Sequence, residues 1–476
     1  MNNRVSKNKY LIKNTLIFAI GNFATKLISF FLVPLYTSVM TTAEYGIVDL
    51  LYTVATFLVP LFTFNIIESV LRFSLDKNNN QNKIISIATI ICIFTAIISI
   101  LTIPVLSLFD NYKEYAVLFY IYVVTFAISQ ILLVNFKGKE QLKLYSLGNF
   151  LYTLMIAIFN IIFLIWFNWG IKGYFLAYIV ANILISIFGF IFGKIIEDIK
   201  NFEFDKKLFI QMIKYSIVLI PTSFMWWIMN FMDRIIITKY LGASANGIYA
   251  VSYKIPTILS VLSSIFTQAW LFSAIKEKDS DDNETYTNSV FNFLSFGIIV
   301  SADLLLLIIK PFFKIYVASD YYIAWKYVPF LMIGYIFLTL STFVSTSYNV
   351  NKDSRGMLYS ALVGAILNLI LNLILIPIID VYGAALATTI SYIAVFVFRI
   401  FNTGKYVKIN INFKYVYSIL ASLFLCVLLY FIKDVIFTFM FGLIIIGTII
   451  FAYRDTWKSI LKVIRNLIKK KKVVIE

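Results

Sequence analysis

The sequence predicts an all-α polytopic membrane protein of fourteen transmembrane helices. Two six-helix bundles, related by pseudo-two-fold symmetry, are followed by a C-terminal helix pair, and both termini are cytoplasmic. Three observations predict this. Apolar runs repeatedly exceed the roughly 20 residues that a bilayer requires, Lys and Arg concentrate on one side of the implied membrane, and short patterns recur between the halves. Of the 476 residues 61% are hydrophobic and only 14% charged. No polar interval is long enough for a separate soluble domain, the longest running from about Lys194 to Lys214.

The first apolar run, 12–39, follows basic residues but lacks a small-residue cleavage site, so it reads as a first transmembrane helix and not as a removable leader. Polar breaks then delimit spans at 44–72, 83–108, 114–136, 144–167, 172–193, 209–240, 246–275, 286–309, 325–350, 356–378, 382–403, 414–432 and 434–453. The bundles are expected over 1–200 and 201–410, helices thirteen and fourteen over 411–455, and a basic interfacial tail over 456–476. In that tail Lys458, Lys462, Arg465 and Lys469 share one helical side and Leu461, Ile464 and Ile468 another, which suits anionic lipid at the inner leaflet.

With cytoplasmic termini, the outer loops hold only Lys113, Lys172, Lys239, Lys310, Lys314, Lys326 and Lys433. The inner side takes nearly all the other basic residues, Arg399 being counted with Lys405, Lys408 and Lys414 after span twelve. Lys26, Arg234 and Lys254 remain inside the membrane. The net charge of +17 therefore reports topology and lipid contact, not nucleic acid.

Gly46, Ile47, Tyr52, Thr56 and Leu58 of span two recur at one constant offset as Gly247, Ile248, Tyr253, Thr257 and Leu259 of span eight. Gly173, Leu176 and Ala177 recur as Gly383, Leu386 and Ala387 at the starts of spans six and twelve. Six spans separate the copies, so the halves share one orientation and their symmetry axis follows the membrane normal.

A charged side chain in such a span costs about 2.5 to 3.5 kcal/mol, so it requires a partner, a wet cavity or a ligand. At 100° per residue, Ser223, Trp227, Asn230, Arg234 and Thr238 form one stripe of span seven, while Asp233 points about 100° away and is not expected to pair with its neighbour. Span eight aligns Lys254, Thr257, Ser264 and Gln268. Span two aligns Asp49, Thr53, Thr56, Pro60 and Thr63, and span one sets Asn22, Lys26 and Ser29 together. These stripes read either as packing glue with buried ion pairs to Asp49, Asp233 and Asp303, or as the lining of a basic cavity suited to phosphate or diphosphate. Arg234 is the leading candidate because its fork matches such an anion. Glu68 and Arg72 close span two as an inner gate or as interfacial snorkels. Pro34, Pro60, Pro221, Pro256 and Pro377 give the same spans places to bend.

Enzyme chemistry finds no support. There is no histidine, no glycine-rich phosphate loop and no cysteine metal pattern, since Cys92 and Cys426 both sit in apolar runs. No cofactor is expected beyond possible coupling to H+ or Na+.

Three blocks carry a resemblance: NTLIFAIGNFATKLISFFLVPLYTSVMTTAEYGIVDL near the start, YSIVLIPTSFMWWIMNFMDRIIITKYLGASANGIYAVSYKIPTIL in the middle, and NLILNLILIPIIDVYGAALATTISY at 368–392. Together they resemble the polysaccharide transporters, or oligosaccharide flippases, of the multidrug/oligosaccharidyl-lipid/polysaccharide exporter superfamily. The resemblance implies two bundles around a V-shaped cavity, rocker-switch alternating access, and an undecaprenyl-diphosphate-linked oligosaccharide moved to the outer leaflet of a bacterial inner membrane. Lys26 matches the family's basic position in span one, and Asp233 with Arg234 its charged motif in span seven. It also implies a lipid-tail groove from helices thirteen and fourteen, with glycan-assembly proteins as partners. Lacking histidine, the chain departs from the pattern, and coupling falls to Asp49, Glu68, Asp233 or Asp303. A cation-coupled drug antiporter, which would need an acidic cavity, and a membrane glycan polymerase, which would need a large charged outer loop, are the competing readings.

Overall fold

A computed structural model describes residues 25–76, 79–432 and 434–454. Asn22, Lys433 and the basic tail lie outside the described residues. The helices are α1 (Thr25–Val39), α2 (Thr42–Phe62), α3 (Ile66–Ser74), α4 (Gln81–Ser99), α5 (Thr102–Ser107), α6 (Ala116–Gly138), α7 (Leu142–Asn160), α8 (Gly170–Phe192) and α9 (Ile195–Lys200). They continue with α10 (Lys206–Leu241), α11 (Ala243–Ser252), α12 (Pro256–Lys276), α13 (Asn283–Leu307), α14 (Ile309–Tyr316), α15 (Val328–Asn351), α16 (Ser354–Thr403), α17 (Phe413–Phe431) and α18 (Val435–Ala452). Among the described residues 12 helical stretches are long and apolar enough to cross a membrane, and Thr25–Val39 is a shorter apolar helix.

Caps and prolines set these boundaries. Thr41 and Glu44 form a reciprocal capping box at α2, while Asp205, Asp353, Asn412 and Asp434 accept first-turn N–H groups of α10, α16, α17 and α18. Four expected spans are altered. Span two is not continuous: beyond Pro60 the chain turns through Phe64 and Asn65, both at positive φ, and restarts as α3. Span eight breaks between Ser252 and Pro256, where proline opens α12 at a position that needs no N–H. Spans eleven and twelve join in the 50-residue α16, interrupted only at Ile379 and Asp380 just after Pro377.

The chain separates into two compact units. The first holds residues 1–227 and 237–250. There α6 packs on α8, joined where Ser129 donates to Asn182 at 2.9 Å, and Gly189 admits the Leu132 side chain. The start of α11 lies against the start of α2 through a reciprocal glycine contact. A Cβ on Gly46 would overlap the Ala243 carbonyl, and one on Gly247 would overlap the Thr42 carbonyl. Thr42 and Ser244 hydroxyls meet at 2.7 Å, and Asn246 donates to Gly46 O at 2.8 Å. Here the repeated glycines allow two helix backbones to approach as closely as small residues permit.

The second unit holds residues 228–236 and 251–476. Its most deeply buried helix is α15, packed along α16 with Gly334 against Thr389. The terminal helices α17 and α18 pack on α13, where Gly442 receives Leu307. Arg399 is not in a loop. It is 1% exposed within α16, its Nε donating to Ser360 Oγ at 3.1 Å and its Nη1 to Ser341 O and Oγ at 3.0 Å each. Those hydroxyl and carbonyl acceptors supply the solvation that a loop position would have taken from water.

Candidate functional site

Asp233 and Arg234 anchor a buried polar network in the second unit, 1% and 6% exposed. Contrary to the face argument, they do pair. Arg234 Nη1 lies 3.3 Å from Asp233 Oδ1, which also accepts the Arg234 backbone N–H at 2.9 Å. The short carboxylate folds back onto the next amide, and the long guanidinium bends round to meet it, so Cβ direction alone does not decide the contact. The same Nη1 donates to Asn230 O at 3.0 Å. Two aromatic rings lie by the guanidinium, with the Tyr253 centroid at 4.8 Å and that of Phe231 at 5.2 Å from its carbon.

Tyrosines complete the setting. Tyr253 OH lies 3.3 Å from both Asp233 Oδ2 and Thr388 Oγ1, its one proton serving one of them, and Tyr392 OH donates to Asn230 Oδ1 at 2.7 Å. Tyr335 stands edge-on to both rings, at 6.1 and 6.0 Å. Sequence reasoning found Asn230, Asp233 and Arg234 but not Tyr253, Tyr335, Tyr392 or Thr388. Tyr253 was visible only as a member of the repeat. In this state the arginine fork is occupied, by a neighbouring carboxylate and a backbone carbonyl.

The expected stripe of span seven divides. Trp227 and Ser223 belong with span two in the first unit, where the Trp227 indole donates to Thr53 O at 3.2 Å and its ring lies 4.6 Å from Phe57. A cavity of about 420 Å³ opens there, lined by Thr56, Phe57, Pro60, Pro221, Phe224 and Trp227 among others. Its lining is predominantly apolar, because Ser223 and Thr56 are its only hydroxyls and Thr56 Oγ1 already donates to Thr53 O at 2.7 Å. Pro60 of α2 and Pro221 of α10 both line it.

The remaining candidates are spread more widely. Lys26 and Ser29 are exposed on α1, and Ser29 Oγ donates to Thr25 O. Asp49 is half-buried on α2, Lys254 and Thr257 are half-buried at the opening of α12, and Gln268 is exposed farther along it. Glu68 and Arg72 are both exposed on the separate helix α3. Asp303 is fully buried in α13, and its side-chain partner is Ser422 of α17, not a basic residue. No group of three His, Cys, Asp or Glu among the described residues could hold a metal ion.

Comparison with known proteins follows the same lines. The family model described as polysaccharide biosynthesis protein matches residues 11–275. No curated protein matches the chain. Among solved structures, the lipid II flippase MurJ in an inward closed conformation superposes with a TM-score of 0.70 at 15% identity, covering 92% of this chain and 99% of that one. An inward-facing multidrug resistance transporter of the MATE family superposes at 0.62 with 11% identity, covering 87% and 96%. The Vibrio cholerae MATE transporter VcmN superposes at 0.57 with 14% identity, covering 85% and 98%. The chain shares the all-helical fold of these transporters and belongs to the polysaccharide biosynthesis protein family.

Proposed function

We propose that the protein is a flippase. It moves an undecaprenyl-diphosphate-linked oligosaccharide repeat unit from the inner to the outer leaflet of a bacterial cytoplasmic membrane by alternating access, for surface polysaccharide biosynthesis. The observation that carries this reading is the family match over residues 11–275, on a fold shared with a protein described as a lipid II flippase. Fourteen helices with both termini cytoplasmic complete the proposed topology.

Arg234 takes the diphosphate. Its present partners include Asp233 Oδ1 and Asn230 O, and a diphosphate offers the bidentate acceptor geometry that this fork fits best. Substrate therefore competes with Asp233 for the guanidinium. The released carboxylate is then free to take H+ or Na+, which couples the two events. Lys26 and Lys254 add positive charge, and Asn22, Ser29, Thr53, Thr56, Ser223, Trp227, Asn230, Thr257 and Gln268 contact the sugars. Glu68 and Arg72 gate the inner side, with Asp49 as a further charge partner. The basic tail holds anionic lipid.

Replacing Arg234 by Ala is expected to abolish surface glycan in a deletion strain complemented with the variant, at unchanged protein level in the membrane. Normal glycan in that strain overturns the role of Arg234. The second reading is a cation-coupled drug antiporter, which the MATE-like fold favours. A deletion strain hypersensitive to cationic drugs, with intact glycan, would establish it instead.

A further inference from the structure

Asp303 stands apart from the Arg234 network, fully buried near the end of α13. Ser422 Oγ of α17 lies 2.9 Å from Asp303 Oδ2 and 3.0 Å from the Ser418 carbonyl. A serine hydroxyl carries one proton, and a carbonyl can only accept. An ionised carboxylate would have to share that single proton with Ser418 O, whereas a protonated carboxyl donates to Ser422 and leaves the hydroxyl proton to Ser418 O. The second oxygen, Oδ1, has no partner among the described residues. Leaving an ionised carboxylate with one donor in an apolar seam would carry a heavy desolvation cost, whereas a neutral acid tolerates it.

Among the described residues no basic side chain reaches the Asp303 carboxyl. Helices α12, α14, α15, α17 and α18 pack against α13. Of these, α15 and α18 contain no charged residue, and the others offer only Lys276 of α12, Lys310 and Lys314 of α14, and Lys414 of α17. Lys310 is held elsewhere, donating to Ile432 O at 2.9 Å over the Trp325 ring. The uncharged titratable groups of these helices are Tyr335 and Tyr348 of α15, Tyr316 of α14, and Tyr415, Tyr417, Cys426 and Tyr430 of α17. Cys426 lies one turn beyond Ser422, buried, with its thiol 3.8 Å from Pro329 O. The same seam is closed by Leu307 seated on Gly442.

We propose that Asp303 and Ser422 form a proton-binding latch that fastens the terminal pair α17 and α18 to α13 while the carboxyl is neutral and loosens that seam when the proton leaves to water. After deprotonation three oxygens share one hydroxyl proton, and the seam relieves this by admitting water between α13 and α17. The latch thereby makes the docking of the terminal pair respond to proton activity.

Cys426 is a native reporter of this seam, because Cys92→Ser leaves it the sole thiol of a chain with two cysteines. The full chain in liposomes is labelled with a membrane-permeant maleimide at mildly acidic and at alkaline pH, alongside the same protein carrying Asp303→Asn. Taking the ratio of the two proteins cancels the ordinary pH dependence of thiol labelling. The ratio is expected near one at acidic pH and to rise, by up to about tenfold per pH unit, as the carboxyl ionises. Direct repulsion between a charged Asp303 and the thiolate would lower the ratio, so it cannot mimic the effect. An unchanged ratio overturns the proposal. If Asp303→Asn does not fold, Ser422→Ala serves, with fast labelling expected at both pH values relative to the parent. A parent-like pH response in that variant overturns the latch equally. The readout is helix packing and not transport, so its failure is distinct from failure of the flippase reading.

Discussion

The turns that follow α6 and α15 share one backbone design and carry opposite charge. After α6 the chain turns through Glu140 at φ 57°, with Glu140 N donating to Lys137 O and Gln141 N to Phe136 O at 2.8 Å. After α15 it turns through Lys352 at φ 56°, with Lys352 N donating to Asn349 O and Asp353 N to Tyr348 O at 2.9 Å. In each unit this loop is then tied to the end of a later helix. The first tie puts the cation on the loop: Lys139 Nζ donates to Asp198 Oδ2 at 2.8 Å and to Gly193 O at 2.9 Å. The second puts the anion there, and Asp353 Oδ2 accepts from Lys405 Nζ and Tyr406 OH at 3.0 Å each. The shared element is the left-handed turn and the need for a strap, and the sign of the charge is free to change.

Charge reversal tests that lesson with the largest expected effect. Lys139→Asp places two carboxylates together and strips Gly193 O of its donor, and should destabilise the first unit by about 2 kcal/mol, since both partners are less than one-fifth exposed. Adding Asp198→Lys should recover at least half of that loss, measured by thermal unfolding of the detergent-solubilised protein. The corresponding swap in the second unit, Asp353→Lys with Lys405→Asp, should recover little. Asp353 also accepts the Gly356 N–H at 2.8 Å as the N-cap of α16, a role that lysine cannot fill. Equal recovery in both units would show that capping contributes nothing to the difference.

This paired turn was invisible in the sequence, because Glu140 and Lys352 occupy a conformation usually signalled by glycine or asparagine. Most helix positions were readable, since apolar runs and caps fix them independently of tertiary structure. The recurring glycines were informative too. Gly46 and Gly247 meet each other, while Gly173 approaches Phe163 O just before α8 and Gly383 approaches Leu375 O across the break in α16. What could not be read was side-chain reach. Arg399 looked like a loop cation because it sits near the end of an apolar run, yet two serines on other stretches of chain draw it inside. Arg234 looked separated from Asp233 because helical angles describe Cβ directions, not the ends of long side chains.

Glycine at the two turn positions should sharpen the comparison by a smaller amount. Both side chains are exposed, so Glu140→Gly and Lys352→Gly remove little except the steric cost of the left-handed backbone. Each should stabilise its unit by roughly 0.5 to 1 kcal/mol, the penalty for a Cβ in that region less the entropy that glycine adds to the unfolded chain. Chemical denaturation of the purified variants measures this. Opposite signs for the two substitutions would mean that one side chain has a task beyond the shared turn.

The smallest expected effect tests the second strap by pH. The Gly356 N–H, followed by Lys405 and Tyr406, holds the Asp353 carboxyl down at about 2, against an ordinary value of about 3.9. A carboxyl bound more tightly in its ionised form adds stability above its unfolded value and loses it as pH falls toward its folded one. Asp353 therefore supports the second unit fully above about pH 4 and progressively less down to about pH 2. Lys405 is half exposed, and water screens that part of the strap, so the change is modest. In that window the wild type should lose more thermal stability than Asp353→Asn, which keeps an N-cap oxygen without a titrating proton. An identical acid decline in both proteins would place the loss at another carboxylate.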